Sequence, residues 1–412
     1  MLGILATLLC NSGPAPAGPI RTEIIRRPNG QYELRRAGKP MFVRGAGAQR
    51  ELAKLRAAGA NSIRTWGSGP DVDKLLDEAH SNGLSVCVGI WLGHKEHGFN
   101  YDDPKQVADQ YAAAMRDVRR IRNHPAVLMW AVGNEMELAA PGAKTWQAVE
   151  QIAAAIQRED PNHPVISVVA DMWPEKMADI LKYAPSLDAL GINSYGGLPT
   201  LASRMSAWKK PYFITEFQAP IQQQAAQTPW KTPIEPSSTE KAAILARDYQ
   251  RVIRAQPGRI LGSYLFYWGK SSVATASWFD TFLRSGEKLA AVDEIQRAWT
   301  GKYPANRAPA IALRTPVSSS GLAAGTSVPL TFTVRDPDGD PVSVKYEVLS
   351  DDPKKRFVGD FEKEMKRFGK GVARSPLSVR VPSEAGPYRV VIVARDGKGS
   401  AAAASWPFMV NP

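Results

Sequence analysis

Apolar runs and amphipathic stretches alternate along the first three quarters of the chain. Eight of the apolar runs are typical of β-strands, and they span residues 41–46, 61–66, 84–91, 126–135, 164–170, 187–195, 211–217 and 259–268. Between them, polar and apolar positions repeat with the spacing of a helix. Because the strands are apolar throughout rather than at alternate positions, we expect them in a parallel sheet that is buried on both faces.

Eight strand–helix units in about 260 residues predict an α/β fold, the (β/α)₈ or TIM barrel. The alternative is a doubly wound open sheet, which carries a glycine-rich phosphate loop after its first strand. That loop does not follow residues 41–46, so the barrel is favoured. Residues 22–36 ahead of it predict a hairpin around a Pro-Asn-Gly turn. We therefore assign 18–301 to a barrel domain with an N-terminal hairpin.

The composition changes after the barrel. Residues 302–308 are interpreted as a linker, and the Val-, Ser- and Thr-rich runs of 309–412 predict a small all-β domain, an immunoglobulin-like sandwich. Asp336, Asp338 and Asp340 are candidate calcium ligands there, but tight turns use the same residues and only part of an EF-hand pattern is present. The turn is the favoured interpretation, and no metal or cofactor is predicted.

The first 17 residues join an apolar run to an Ala-Pro-Ala pattern, which predicts a signal peptide and a secreted or periplasmic protein. Cys10 would suit a lipoprotein anchor, but Leu9 stands where a small residue is required. No later run is long enough to span a bilayer. Cys87 lies in an apolar strand and is expected to be a buried structural thiol.

The chain is basic, with a formal net charge of +12. A basic surface can favour anionic polymers, but no block of lysine or arginine dominates and no nucleic-acid-binding motif is present. We therefore interpret the charge as that of an ordinary basic surface and expect no nucleic-acid partner.

Two glutamates stand at the ends of predicted strands. Glu135 follows Asn134 at the end of the fourth strand, and Glu216 lies near the end of the seventh. In a parallel barrel both ends open at one face. Glycoside hydrolysis needs two carboxyl groups, about 5–5.5 Å apart in retaining enzymes and about 6.5–9.5 Å apart in inverting ones. The pair predicts a glycosidase site, and the sequence leaves the separation open.

These segments resemble clan A of the glycoside hydrolases, and most of all the catalytic barrel of family 2. Residues 39–47 resemble the family's first strand, 122–135 its acid/base segment and 211–217 its nucleophile segment. The resemblance covers roughly two thirds of the chain. It implies that Glu135 is the acid/base and Glu216 the nucleophile.

The same resemblance implies four supporting residues. Asn134 would bind the sugar 2-hydroxyl, Arg64 would hold the nucleophile ionised, and Tyr195 would hydrogen-bond the nucleophile. Trp268 would form a floor under the sugar ring, because aromatic faces pack on apolar sugar faces.

Other residues are candidates on weaker grounds. Four tryptophans are possible sugar platforms, although packing in the core explains each equally well: Trp66, Trp91, Trp130 and Trp173. Asn193 is a candidate to line the cleft. Glu137, two residues beyond the predicted acid/base, is expected in a solvated loop.

The leading hypothesis is a retaining β-glycoside hydrolase that acts on a β-linked oligo- or polysaccharide, a β-glucan first, by double displacement. Residues 61–70 are also similar to β-1,3-glucan transglycosylases of the same clan, so sugar transfer by the same residues stays an alternative. A non-catalytic carbohydrate-binding protein of the cell envelope is a third possibility. Because β-sandwich domains normally precede the family 2 barrel and here one follows it, the family's substrate specificity is not carried over.

Overall fold

The fold consists of a closed barrel of eight parallel strands followed by an antiparallel β-sandwich, as the sequence predicts. The computed structural model describes residues 18–270, 275, 277–314, 319–351 and 366–411. The predicted leader, residues 1–17 with Cys10, lies outside the described residues.

A small antiparallel sheet precedes the barrel. It comprises β1 (Thr22–Arg26), β2 (Tyr32–Arg36) and β3 (Lys39–Met41). Leu34 of β2 is fully buried against the side chains that fill the barrel interior. Arg36 donates hydrogen bonds to the carbonyls of Pro125 and Val127, where the fourth barrel strand begins. The sheet therefore covers the N-terminal end of the barrel.

The barrel closes in the order β10-β11-β4-β5-β6-β7-β8-β9, so the last strand pairs with the first in the chain. Register shifts interrupt several pairs, including β7 with β8 and β9 with β10. The strands are β4 (Val43–Gly47), β5 (Ser62–Arg64), β6 (Ser85–Ile90), β7 (Val127–Asn134), β8 (Val165–Ala170), β9 (Ala189–Asn193), β10 (Tyr212–Phe217) and β11 (Ile260–Leu265).

Helices follow the strands and cover the outside of the barrel. They are α1 (Leu52–Ala57), α2 (Val72–Ser81), α3 (Pro104–Ile121), α4 (Ala143–Glu159), α5 (Pro174–Tyr183), α6 (Leu201–Arg204), α7 (Ser238–Asp248) and α8 (Ala290–Thr300). Local sequence fixes the start of α3. The Asp103 carboxylate caps the helix by accepting from the N–H of Lys105, and Pro104 takes the first helical position. In the described part of the chain, no helix is long and apolar enough to cross a membrane.

The barrel core has two layers. One lies between strands and helices, and the other fills the barrel interior. Cys87 belongs to the interior layer, where burial raises the pKa of its thiol to about 12. Gly45 is needed in this layer, because a Cβ there would lie 2.4 Å from the Tyr264 ring. Cys87 is thus a protonated, buried thiol, as expected from its apolar strand.

The sandwich has a three-stranded sheet, β12-β13-β16, facing a four-stranded sheet, β15-β14-β17-β18. An apolar cluster that includes Leu330, Val390 and Trp406 fills the space between them. The strands are β12 (Ala310–Arg314), β13 (Ser327–Arg335), β14 (Ser343–Ser350), β15 (Arg367–Val372), β16 (Leu377–Arg380), β17 (Gly386–Arg395) and β18 (Ala401–Val410).

The three candidate calcium ligands form a turn between β13 and β14. Asp336 Oδ1 accepts from the backbone N–H groups of Asp338 and Asp340, which is the geometry of an Asx turn. Carboxylate oxygens of the three residues lie within 4.8 Å of one another. The ammonium of Lys398 lies 2.5 Å from Asp340 Oδ1, so a side-chain cation already contacts the cluster.

Replacing Leu34 by alanine should lower the free energy of unfolding of the barrel by about 2–5 kcal/mol, because it leaves a cavity where the hairpin meets the interior. Leu181→Ala is the matched control, since Leu181 is 48% exposed and should change stability little. Urea titration followed by circular dichroism measures both. Equal stability of the two variants would show that the sheet does not close the barrel.

Candidate active site

The two predicted glutamates lie at the C-terminal face of the barrel. Glu135 directly follows β7, and Glu216 is the penultimate residue of β10. Both belong to one hydrogen-bonded group of side chains, which runs from Glu216 through Arg64, Asn134 and Asn193 to Glu135. The structure therefore brings the two carboxyl groups into the same site.

Among the described residues, three donors surround the carboxylate of Glu216. Oε1 accepts from Arg64 Nη1 at 2.7 Å and from Trp66 Nε1 at 2.8 Å, and Oε2 accepts from the Tyr195 hydroxyl at 2.8 Å. Glu216 is only 6% exposed. These contacts supply hydrogen-bond donors and a positive charge to a carboxylate that is almost fully buried.

Arg64 joins three strands of the barrel. It stands at the end of β5, is 1% exposed, and donates to Glu216 and to the Thr215 carbonyl through Nη1. Its Nη2 lies 2.6 Å from Asn134 Oδ1. Since Asn134 accepts through its oxygen, its amide NH₂ is the end available to donate to a sugar hydroxyl.

Asn193 holds the other glutamate. Its Nδ2 donates to Glu135 Oε1 at 2.8 Å and to Asn134 Oδ1 at 3.1 Å. Its own Oδ1 accepts from the Thr215 hydroxyl at 2.8 Å, which fixes the orientation of the amide. Asn193, a weak candidate on the sequence alone, is thus a direct partner of Glu135.

Glu135 has the properties of a general acid. Burial, followed by the charge of Glu216, raises its pKa from 4.5 to about 8, and the bond from Asn193 offsets this only in part. Glu135 therefore carries its proton at neutral pH. A protonated glutamate beside one held by Arg64 is the division of states that acid and nucleophile require.

The backbone after β7 aims these side chains into the barrel mouth. Gly133 has φ 75°, and a Cβ there would lie 2.1 Å from the sulfur of Met136. Glu135 itself has φ 56°, in the left-handed region. The pairing of β7 with β8 shifts register between Ala131 and Asn134. Such irregularities at a strand end redirect side chains next to active sites.

Aromatic side chains form one wall of the site. Phe266 packs edge-on against Trp66 and Tyr195, with ring centroids 5.8 Å and 5.9 Å away. Tyr267 lies 5.9 Å from Trp66, and Phe279 lies 5.5 Å from Tyr195. None of Phe266, Tyr267 and Phe279 was singled out from the sequence. Two of these residues belong to the aromatic run Phe-Tyr-Trp at 266–268, directly after β11, and this run is the feature of the sequence that could have indicated them.

The structure corrects the role of Trp268. Its side chain is 1% exposed and packs edge-on against Phe282 at 5.2 Å, in the layer between strands and helices. A ring enclosed in this way cannot offer a face to a sugar. Phe266, two residues earlier and partly exposed, packs instead beside Trp66 and Tyr195, the two side chains that donate to Glu216.

The other candidate tryptophans have three different environments. Trp66 donates to Glu216 and so contacts the carboxylate directly. Trp130 is fully buried and donates to Asp160, which makes it a core residue. Trp91 is 50% exposed and stacks on His94 at 4.8 Å, and Trp173 is 46% exposed. Trp91 and Trp173 lie in loops at the C-terminal face, after β6 and β8.

Glu137 is not in a solvated loop, contrary to expectation. It is 5% exposed, its carboxylate lies 2.7 Å from the Lys176 ammonium, and it accepts from the N–H of Ala170. Its negative charge adds to the rise in the pKa of Glu135. Glu137 therefore acts on the site through its charge, which affects the pKa of Glu135, and it does not belong to the group of contacts around Glu216.

Residues 47–235 match the model of glycosyl hydrolases family 2, TIM barrel domain. The matched stretch includes both glutamates and the residues that join them. The barrel is therefore similar to the catalytic barrel of glycoside hydrolase family 2, of clan A, which confirms the resemblance found in the sequence.

Curated relatives are similar to this chain over part of their length. A β-glucuronidase of Paenibacillus borealis is 28% identical over 199 residues, which is 43% of this chain and 32% of the relative. A β-glucuronidase of Pongo abelii is 30% identical over 173 residues, 38% of this chain and 25% of the relative. The chain thus matches about a third or less of each relative.

Solved structures agree on the fold. A β-glucuronidase of Bacteroides uniformis superposes with a TM-score of 0.53 at 15% identity, covering 95% of this chain and 48% of that one. The β-glucuronidase of Bifidobacterium dentium gives 0.54 at 18% identity, covering 68% and 49%. At these identities the likeness establishes the fold.

The raised pKa of Glu135 should make the free energy of unfolding depend on pH. A carboxyl group whose pKa is raised on folding stabilises the protein fully below its unfolded value, 4.5, and loses that contribution as the pH rises through about 8. Glu135→Gln stays neutral, so it should be more stable than the parent by at least about 1 kcal/mol at pH 9 and similar to it at pH 4.5.

Urea unfolding at a series of pH values measures this difference. Glu384→Gln, at a carboxylate 65% exposed in the sandwich, is the control and should follow the parent. Stability curves of Glu135→Gln and the parent that run parallel from pH 4.5 to 9 would contradict the raised pKa.

Proposed function

We propose that this barrel is a retaining β-glycoside hydrolase with Glu135 as acid/base and Glu216 as nucleophile. The observation that carries the proposal is the contrast between the two carboxyl groups within one hydrogen-bonded group: Glu216 is held by Arg64, while burial and the charge of Glu216 favour the proton on Glu135. Paired glutamates in opposite protonation states at a barrel mouth are the minimum that double displacement requires.

In the first step Glu135 donates its proton to the glycosidic oxygen while Glu216 attacks the anomeric carbon. The bond to the leaving group breaks and a glycosyl ester forms on Glu216. In the second step Glu135, now a carboxylate, takes a proton from water. The resulting hydroxyl attacks the same carbon, and Glu216 leaves as a carboxylate with Glu135 protonated again.

Neighbouring side chains support each step. The amide of Asn134 is available for the sugar 2-hydroxyl, an interaction that strengthens in the transition state. Tyr195 and Trp66 donate to the nucleophile and would hold it in line for attack. Phe266 and Tyr267 supply apolar surface of the kind that sugar rings pack on.

The substrate we propose is a β-linked glycan, with a β-glucan first. Among the described side chains that hydrogen-bond Glu135 or Glu216, Arg64 is the one cation, and it already bonds Glu216, Thr215 and Asn134. A neutral sugar fits this environment. A β-glucuronide is the second candidate, because the curated relatives bear that name. A secreted or periplasmic location, proposed from residues 1–17, suits a polymeric substrate.

A mechanism-based inactivator tests the nucleophile. The parent protein is incubated with 2-deoxy-2-fluoro-β-glucosyl fluoride and, in parallel, the matching glucuronyl fluoride, and the labelled peptide is mapped by mass spectrometry. We expect the label on Glu216, mainly from the glucosyl reagent, and none in Glu216→Gln. Turnover of the matched aryl glycosides should fall by roughly 10³-fold or more in that variant.

The same preparation separates the alternatives. Products longer than the starting oligosaccharide would identify a transglycosylase that uses these residues. Absence of both label and turnover with either sugar series would favour a non-catalytic carbohydrate-binding protein. Preferential labelling by the glucuronyl reagent would overturn the β-glucan proposal while leaving the mechanism intact.

Glu135→Ala tests the acid/base and the retaining stereochemistry. Substrates with poor leaving groups should lose about 10²–10⁴-fold in kcat/KM, whereas activated aryl glycosides, which need little protonation, should lose much less. In the parent, kcat/KM should fall as the pH rises through about 8, because the acid must be protonated, and this fall should disappear in the variant.

Azide provides the decisive product. With an activated β-glycoside, it should accelerate Glu135→Ala and give the β-glycosyl azide, since an anion needs no base to attack the ester on Glu216. The α-azide would indicate single displacement across a wider gap and would contradict the retaining mechanism. The surface variant Glu384→Gln should behave as the parent in every assay.

A further inference from the structure

A buried polar cluster joins the barrel to the sandwich. The carboxylate of Glu235, in the loop between β10 and α7, accepts from Lys241 Nζ at 2.6 Å, from the Ser277 hydroxyl at 2.8 Å and from the Ser405 hydroxyl at 3.3 Å. Ser405 belongs to the sandwich strand β18. All four side chains are less than 9% exposed. We call these residues, with Arg389, the Glu235 cluster.

Arg389 is the contribution of strand β17 to this cluster. It is completely buried and donates to the Ser405 hydroxyl at 2.8 Å and to the Pro233 carbonyl at 3.0 Å. It also pairs with Asp351 at 3.2 Å. One arginine of the sandwich thus contacts the loop that follows the strand of Glu216.

The cluster reaches the active site through Ser277. Lys241 also donates to the Ser277 carbonyl, so Ser277 is held through its side chain and its backbone. The next residues, Trp278 and Phe279, form a small apolar cluster with Tyr195 and Phe266. Phe279 lies 5.5 Å from the Tyr195 ring, and Tyr195 donates to Glu216.

The two loops on either side of this path also contact each other. Gln218 Nε2 donates to the Phe279 carbonyl at 3.1 Å, and the Trp278 indole donates to the Pro220 carbonyl at 3.1 Å. Segments 218–237 and 277–283 therefore form one wall beside Glu216. The Glu235 cluster lies at the end of that wall that faces the sandwich.

Together with Asp351, which pairs with Arg389, the charges of the cluster compensate one another. Burial alone would raise the pKa of Glu235, but Lys241 and Arg389 outweigh it and leave that pKa below its ordinary value. Removing one member of a buried charge group leaves the others uncompensated, which is far costlier than losing a surface pair. Such a group tolerates few alternative arrangements, so it is suited to fix the position of the loops that enter it.

We infer that the sandwich is a structural part of the active site, and that Arg389 and Ser405 are positioning residues that hold segments 218–237 and 277–283 against Tyr195 through the Glu235 cluster. The inference about loop position rests on contacts alone. Its catalytic consequence rests on the function proposed above.

Hydrogen exchange of the full-length protein tests the loop position without any substrate. In Arg389→Met, peptides covering 218–237 and 277–283 should exchange at least about tenfold faster, while peptides of the barrel strands stay protected. Ser405→Ala is the milder variant and should show a smaller change at the same peptides. It decides the question if Arg389→Met does not fold.

Arg395→Met is the matched control. Arg395 also links sandwich to barrel, through Glu287 at 2.7 Å, but its side chain is 31% exposed and lies outside the Glu235 cluster. It should leave exchange of the two segments unchanged. Equal exchange in Arg389→Met, Ser405→Ala and the parent, or the same change in Arg395→Met, would overturn the inference.

Kinetics then test the catalytic consequence. With an activated aryl glycoside at a temperature where all variants are folded, Arg389→Met should lower kcat at least about fivefold with KM within about twofold, since misplaced groups slow chemistry more than binding.

The outcomes are separable. Faster exchange with kcat unchanged would retain the structural link and overturn the positioning role. A parent protein with no glycosidase turnover would overturn the proposed function, while the exchange comparison would still decide whether the sandwich holds the two segments.

Discussion

The ion pair between Arg64 and Glu216 is the constraint on which the site depends. A guanidinium that is 1% exposed needs a partner for its charge and acceptors for its N–H groups. It finds them on two other strands, in Glu216 and Thr215 of β10 and in Asn134 of β7. These contacts require three strand ends to meet at one height, which only the closed barrel provides. Buried Arg64 thus links the ends of β5, β7 and β10 within the site.

The properties of Glu135 follow from that pair. Arg64 forms its ion pair with Glu216. Glu135 is buried beside the Glu216 carboxylate without such a partner of its own among the described residues, so its protonated form is favoured. Asn193 and buried Glu137 adjust the balance in opposite directions. The two glutamates therefore lie in different environments, since Arg64 bonds Glu216 and the charge of Glu216 in turn favours the proton on Glu135.

The sequence was informative wherever a pattern depends on local chemistry. Continuous apolar strands specify a buried parallel sheet, and the strand ends then place Arg64, Asn134, Glu135, Tyr195 and Glu216 at one face. It failed where three-dimensional packing decides between neighbours. In the run Phe266–Trp268 the local pattern cannot tell which ring turns toward the cleft, and Trp268 turns into the helix layer. Glu137 looked solvated because its partner, Lys176, lies 39 residues away in the chain.

The two ends of the barrel also differ in how they are supported. At the N-terminal end, Leu34 of a short hairpin enters the interior, so the closure is apolar and contributes to stability. At the C-terminal end the loops must leave a cleft open, and apolar burial cannot hold them fully. Polar contacts to a neighbouring domain are an alternative source of order, and Arg389 and Ser405 make such contacts beside the loops around Glu216. A sandwich that follows the barrel can therefore stabilise the loops at the C-terminal face of the barrel.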